Sequence, residues 1–471
     1  MLEVQGLLRI RRRSGLLAPT RKPYTLYGLR YAFLEAPASA VRDLTAAATA
    51  ALRHVIRARI GRYRALVLMR LAQWPLRALL RAIVSRVPRD ARVVAFGAGS
   101  STFADNAAYL FLHMSQQERL RCVWVAGSRT VAKALRARGL DAVHRWSLRG
   151  IWVALRASLY VYNSYRADIN TWLGDGARTL NLWHGVGIKP ILRTRLAGAG
   201  GAIYTAPEGS FAARLFADDR HRPDFVLSTS EAMTRHFSSS FGVPPDRCPE
   251  LGYPRNDHLA AGTPPPPALV DADVYRRLRD CTVVGYFPTA RDDSVSVPGG
   301  APAIAHLVEI VAAQGAVVLF KAHSASHVPV EPSGSLLVLP RDADLNAYLA
   351  LCDVLVTDYS SVASDFLLLN RPIVLYCPDI DAYERVRGFV LDPHRYLPGT
   401  LTRTLDELYG TLADLRSLAP SPKDAELLDF FWGQSARPGA CERIAGFIEG
   451  GLNPGAPAQQ HVAAANDSPT R

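Results

Sequence analysis

Acidic residues are scarce where this chain begins. Residues 1–92 hold 19 Lys and Arg against four acids, a local +15 within a total of +13 over 471 residues, so the remainder carries −2. Cysteine is sparse too: the six residues form no CxxC pair and no cluster with histidine. That excludes a zinc ribbon and a disulfide scaffold. Cys122, Cys281, Cys352 and Cys377 sit in or beside apolar runs and read as buried thiols of a reducing compartment. No carboxylate cluster has the spacing of a divalent-metal site, so no metal is expected; Asp292 and Asp293 read as a solvated loop pair. No uncharged apolar stretch approaches the roughly 20 residues of a membrane span. The opening MLEVQGLLRIRRRSG lacks an apolar core of signal-peptide length, so no secretory leader is expected.

Against these absences stands 49% hydrophobic content, ample for two or three domains. Residues 1–90 are Arg-rich and helix-prone. Within 63–87, Arg70, Arg77 and Arg81 fall at spacings of seven and four, one helical face, and Pro75 should kink or divide the helix. Two readings stay open: a basic amphipathic helix lying on an anionic membrane surface, or a helical layer packed on the body with its arginines solvated. Nucleic acid is not expected as a partner, because no reading motif accompanies the charge.

From Arg92 onward, strand-like and helix-like runs alternate. RVVAFGAGS (92–100), RCVWVAGS (121–128), SLYVYNS (158–164), LNLW (180–183) and DFVLSTS (224–230) read as strands of one half, 91–262. A proline-rich linker, 263–280, follows. The second half, 281–450, repeats the pattern through VVGYFP, VVLFKA, LLVLP, DVLVT and PIVLYC, and 451–471 reads as a disordered tail. Alternation of this kind predicts an α/β fold: two Rossmann-like domains of the GT-B layout, facing across a cleft, plus the basic helical N-terminal segment.

The stretch DVLVTDYSSVASD (353–365) reads as a buried strand, a tight turn and a helix opening at Ser360 and Ser361. Hydroxyls at a helix start satisfy orphan N–H groups, and the same helix end attracts anions; an N-cap without a ligand is the plainer use. Two histidines stand out from twelve. His184 follows the strand LNLW and precedes Gly185, and His323 follows VVLFKA; each falls at the carboxyl edge of a predicted sheet, one in each half. Lys189, Arg255, Arg291 and Lys321, with Thr289, are suited to phosphate, though surface salt bridges are the usual occupation of such cations. Asp358 and Asp365 flank the helix start, and Asp365 reads as a residue that fixes local geometry.

Taken in order, GSSTFADNAAYLF (99–111), WHGVGIK (183–189), STSE (228–231), GYPRND (252–257), FPTAR (287–291), KAH (321–323) and TDYSSVASDF (357–366) resemble the CDP-glycerol glycerophosphotransferases, the primases and polymerases of teichoic acid and related capsular polymers. The resemblance covers about 92–450. It implies a GT-B fold, peripheral attachment at the cytoplasmic face of the cell membrane, and no cofactor. It also implies transfer of glycerol phosphate from CDP-glycerol to a hydroxyl of a lipid-linked or polymer acceptor, with release of CMP. By the same resemblance His184 is the general base, His323 contacts the donor pyrophosphate, and Arg291, Ser360, Ser361 and Asp365 match donor-site positions; Thr289 and Lys321 are added to the donor site on their phosphate-suited chemistry. Arg255, Asn256 and Asp257 match the family's interdomain segment, and Lys189 is placed with them in an interdomain or substrate role on its charge. Val186, Gly187 and Ser324 depart from the family pattern, so ribitol phosphate or another CDP-polyol stays open as donor. The competing readings are a GT-B glycosyltransferase using a nucleotide sugar and a membrane-surface adaptor with a decayed site.

Overall fold

A computed structural model describes residues 61–99, 102–195, 203–204, 206–289, 299–321 and 331–452. The first 60 residues, the expected tail beyond Leu452, and the candidate residues Arg291 and His323 lie outside the described residues.

Helix α1 (Gly61–Val84) runs through Pro75 without being divided, which leaves a kink as the other expected effect of the proline. Pro75 and Leu71, four residues before it, are both exposed, so water can take the carbonyl that the proline cannot satisfy. The arginine face turns to Asp218 and Asp219, with Arg70 and Arg77 largely covered and Arg81 exposed. Arg70 pairs with Asp219 at 2.8 Å, and Arg77 and Arg81 both pair with Asp218. Burial pushes the Asp219 carboxyl up, and the Arg70 charge opposes that shift. On the other side Leu68, Leu71, Leu76, Leu79 and Ile83 are between 39% and 59% exposed.

Six parallel strands follow: β1 (Asp90–Gly97), β2 (Arg121–Ala126), β3 (Ala142–His144), β4 (Ala157–Tyr162), β5 (Arg178–Asn181) and β6 (Phe225–Val226), in the order β3-β2-β1-β4-β5-β6. Helices α2 (Asp105–Ser115), α3 (Arg129–Ala137), α4 (Leu148–Arg156) and α5 (Glu231–Phe241) connect or flank them. Strands covered on both faces read as continuous apolar runs, and VVAF, CVWVA and LYVY do so. Phe111 of α2 sets its ring 5.5 Å from Phe96 and 5.6 Å from Trp124, edge to face, which locks α2 onto β1 and β2.

The second sheet comprises β7 (Val283–Tyr286), β8 (Val317–Phe320), β9 (Leu336–Val338), β10 (Val354–Thr357), β11 (Ile373–Tyr376) and β12 (Thr400–Thr402), ordered β12-β11-β10-β7-β8-β9 and again parallel. Helices α6 (Gly300–Ala312), α7 (Val362–Phe366) and α8 (Leu405–Leu412) belong with it. Ile304, Leu307 and Val311 of α6 and Leu408 and Leu412 of α8 pack with Val284, Val318, Phe320, Val356 and Val374 in one core. Each sheet therefore has the strand order of a dinucleotide-binding fold, reversing direction between its first and fourth strands.

The two sheets anchor two compact units that interleave along the chain. One gathers Ala82–His184, His221–Pro266 and the chain from Asp429; the other gathers Gly185–Arg220, Pro267–Leu428 and the chain up to Arg81. The last helix, α9 (Ala440–Glu449), thus belongs with the first sheet. Its opening amides, Ala440 and Cys441, donate to the two carboxylate oxygens of Asp257 at 2.6 and 2.7 Å. Just upstream, the Thr229 and Ser230 hydroxyls donate to the carbonyls of Phe431 and Phe430. The stretch 263–280 is only partly a linker. Residues 272–279 form a helix capped by Asp271, with Leu278 buried.

Candidate functional site

In parallel sheets, ligands gather beyond the carboxyl ends of the strands where the order reverses. In the first sheet that place lies between β1 and β4, and the chain leaving β4 runs through Asn163 and Ser164. Beside it, β5 ends at Asn181 and passes into Leu182, Trp183 and His184.

This last turn is held by side chains from three segments. The Asn181 carboxamide oxygen accepts the Trp183 N–H at 2.8 Å, and its amide donates to the Ser164 carbonyl at 3.0 Å. Trp183 takes φ +52°, a left-handed conformation costly for a bulky residue and sustained only where surroundings impose it. Those surroundings are explicit: Asn106 Nδ2 donates to the Trp183 carbonyl at 2.9 Å, and Arg255 Nη1 donates to the His184 carbonyl at 2.9 Å. Arg255 is itself fixed by Asp105 at 2.6 Å and, through its backbone N–H, by Asn106 Oδ1 at 3.2 Å. The indole is buried, with Phe241 edge-on at 5.1 Å. Above this frame the His184 imidazole is exposed, 4.0 Å from the indole centre, with Nδ1 3.2 Å from Ser164 Oγ.

Asp168 stands behind that serine. One of its oxygens accepts the backbone N–H groups of Ser164 at 2.8 Å and Tyr165 at 3.4 Å. Burial pushes its carboxyl up to about 7, against the pull of those amides and of Arg145.

In the second sheet the reversal falls between β7 and β10. Both Asp358 oxygens accept the Thr289 N–H at 3.0 Å, and Thr357 Oγ1 donates to the Phe287 carbonyl at 2.6 Å. These bonds tie together the two loops that leave the reversing strands. The hydroxyl pair at α7 divides its work, contrary to the expectation that both cap. Ser360 Oγ accepts the Val362 N–H at 3.4 Å, whereas Ser361 sits at the N-cap in right-handed helical conformation without a side-chain cap. Instead Ser361 lies against Gly185, where an added Cβ would strike its Oγ and Cβ. Asp365 is buried within α7. The helix is five residues long.

Several other candidates have structural occupations. Lys321 Nζ donates to the Arg341 carbonyl at 3.0 Å; burial lowers its pKa against Asp344 and Asp342. Asp257 serves as the double cap of α9, and Asn256 and Thr289 are buried. Lys189 is half-buried. Sequence reasoning passed over Asn106, Asn181, Asp105 and Ser164; of these, Asp105 and Asn106 lie inside the quoted motif STFADNAAYLF. A cavity of about 590 Å³ lined by Asp90, Arg92, Arg121 and Cys122 opens at the amino ends of β1 and β2, the opposite strand ends from His184. Among the described residues no group of three His, Cys, Asp or Glu is placed to hold a metal ion, and no helix is long and apolar enough to cross a membrane.

Comparison with known proteins sets this frame in context. A family model described as CDP-Glycerol:Poly(glycerophosphate) glycerophosphotransferase matches residues 79–430. A teichoic acid glycerol-phosphate transferase of Staphylococcus aureus is 25% identical over 353 residues, covering 72% of this chain and 87% of that one. A teichoic acid poly(glycerol phosphate) polymerase of Bacillus subtilis is 24% identical over 350 residues, 71% of this chain; the chain spans 45% of that relative's length. Among solved structures, the wall teichoic acid polymerase TagF superposes with a TM-score of 0.62 at 21% identity, over 83% of this chain and 98% of the other. At that identity the likeness is one of fold, and it matches the GT-B-like pair of parallel sheets expected from the sequence.

Proposed function

This chain belongs to the CDP-glycerol:poly(glycerophosphate) glycerophosphotransferase family, and on that premise we propose that it transfers glycerol phosphate from CDP-glycerol to a hydroxyl of a lipid-linked acceptor or growing polymer, releasing CMP. The observation that carries the reading is the exposed His184 ring on a turn whose backbone is clamped by Asn106, Asn181 and Arg255. An imidazole held at the carboxyl edge of a parallel sheet is suited to general-base work.

In the proposed step, the acceptor oxygen forms its bond to the β-phosphorus of the donor while its proton passes to His184. The bond from that phosphorus to the bridging oxygen breaks, and CMP leaves with the electron pair. His323 and Arg291 are assigned by family likeness to the donor diphosphate, with Ser360, Ser361 and Asp365 on the same side of the reaction. In-line phosphoryl transfer asks mainly for positioning and charge stabilisation, which fits this inventory. We also assign peripheral membrane attachment at the cytoplasmic face, through the outer apolar side of α1.

The test is to incubate the protein with CDP-glycerol and a lipid-linked glycerol-phosphate acceptor, following CMP release and product mass. His184→Ala should lower kcat by roughly 10²–10⁴-fold, the usual worth of a general base, with CDP-glycerol binding retained. Turnover by His184→Ala at the wild-type rate removes the base assignment; release of UDP or GDP from nucleotide sugars, with no CMP released from CDP-glycerol, removes the donor class.

A further inference from the structure

Ser164 stands at the carboxyl end of β4, at the reversal point of the first sheet, and its surroundings leave its backbone little freedom. Its N–H donates to the Asp168 carboxylate at 2.8 Å, and its carbonyl accepts from Asn181 Nδ2 at 3.0 Å. Asn181 in turn sets the Trp183 backbone through its other carboxamide atom. The serine and the turn carrying His184 are therefore parts of one hydrogen-bonded frame. From that frame the Ser164 hydroxyl meets Nδ1 of His184 at 3.2 Å.

An imidazole has two nitrogens, and the partner of one decides which is basic. A hydroxyl oxygen accepting from Nδ1–H keeps the proton there and makes Nε2 the nitrogen that takes the acceptor proton. The bond survives protonation, because Nδ1–H remains a donor in the imidazolium. Among the described residues the charged groups of this frame include Arg255, which holds the His184 carbonyl, Asp105, which is turned to Arg255, Asp168, which engages the backbone amides of Ser164 and Tyr165, and Arg145, which donates to the Asp168 carbonyl. At Nδ1 itself stands the serine hydroxyl.

We propose that Ser164 is a positioning residue for the base, accepting a hydrogen bond from His184 Nδ1–H so that Nε2 faces the acceptor hydroxyl. The inference rests on the assignment of His184 as general base. For metal-ligating histidines, partners acting through the other ring nitrogen are typically worth 10–100-fold, and an effect of the same order is expected here.

The experiment measures kcat and KM for CDP-glycerol, and thermal stability, in Ser164→Ala, Ser164→Cys, Ser164→Thr and His184→Ala. Ser164→Ala should lose about 10–100-fold in kcat with KM for CDP-glycerol unchanged, and Ser164→Thr, which keeps the hydroxyl, should recover most of it. Ser164→Cys, nearly isosteric but a weak acceptor, should resemble Ser164→Ala and replaces it if the alanine variant unfolds. Wild-type kcat in Ser164→Ala or Ser164→Cys beside an inactive His184→Ala overturns the role of Ser164 and leaves the base intact. A KM effect alone, or a Ser164→Thr variant no better than alanine, overturns that role equally. An active His184→Ala overturns the base, and this inference with it.

Discussion

Gly185 has no room for a side chain. A Cβ there would strike Ser361, so the glycine after the histidine serves a contact between two segments brought together by the fold, not only a turn. Gly185→Ala should cost about 1–3 kcal/mol, the usual range for overpacking a filled site, and urea unfolding of the variant measures it. At this scale the sequence pointed to His184 and Gly185 because a histidine and glycine directly after an apolar strand are conspicuous. It did not point to Asn106, Asn181 or Ser164. Asn and Ser have many bland uses in turns, and what distinguishes these three is a partner in another segment of the chain. Lys321, offered to the donor on its charge, and Asp257, offered through the GYPRND motif, both hydrogen-bond to the protein's own backbone.

Among elements, α1 was legible in its periodicity and illegible in its direction. The spacing of Arg70, Arg77 and Arg81 correctly placed them on one face; which way that face turns depends on Asp218 and Asp219, some 140 residues away. Helix α7 is short for a reason its opening residues do not show. Its sequence continues as a good helix former, yet the chain tightens into a 3₁₀ turn at Leu367–Leu369 and ends at Asn370 in the left-handed region. Helix α9 depends on a remote cap. Removing it in Asp257→Ala leaves two opening amides of a buried helix start unbonded, and should cost about 1–2 kcal/mol. Thermal denaturation reads this as a lowered Tm, while Asp257→Asn, which keeps one acceptor oxygen, should lose less.

For the whole molecule, the alternation of strands and helices made the two parallel sheets readable, and the family motifs made the chemistry readable. Strands β3 (AVH) and β12 (TLT) gave no signal, because unlike the comparably short β6 and β9 they lie in no longer apolar run. The outward apolar side of α1 sets the prediction at this scale. A surface attached by burial of leucines should hold on at high salt, unlike one attached by arginines. Leu71→Glu combined with Leu79→Glu should reduce co-sedimentation with anionic vesicles at least tenfold and leave soluble-donor binding unchanged. Arg77→Ala should instead lower stability, through the loss of its pairing with Asp218. Vesicle binding that is indifferent to the glutamates and abolished by salt would reassign attachment to the basic residues.

The separation of Asp257 from the amides it caps has a temporal side. The two lie 183 residues apart, and a ribosome adding roughly 5–20 residues per second needs on the order of 10 to 40 seconds to cover that distance. Until then the first-made sheet lacks the helix that finishes it, while the later one is already being spun out. The nascent protein thus cannot mature one half at a time, and for that interval its incomplete apolar surface is a natural client for chaperones.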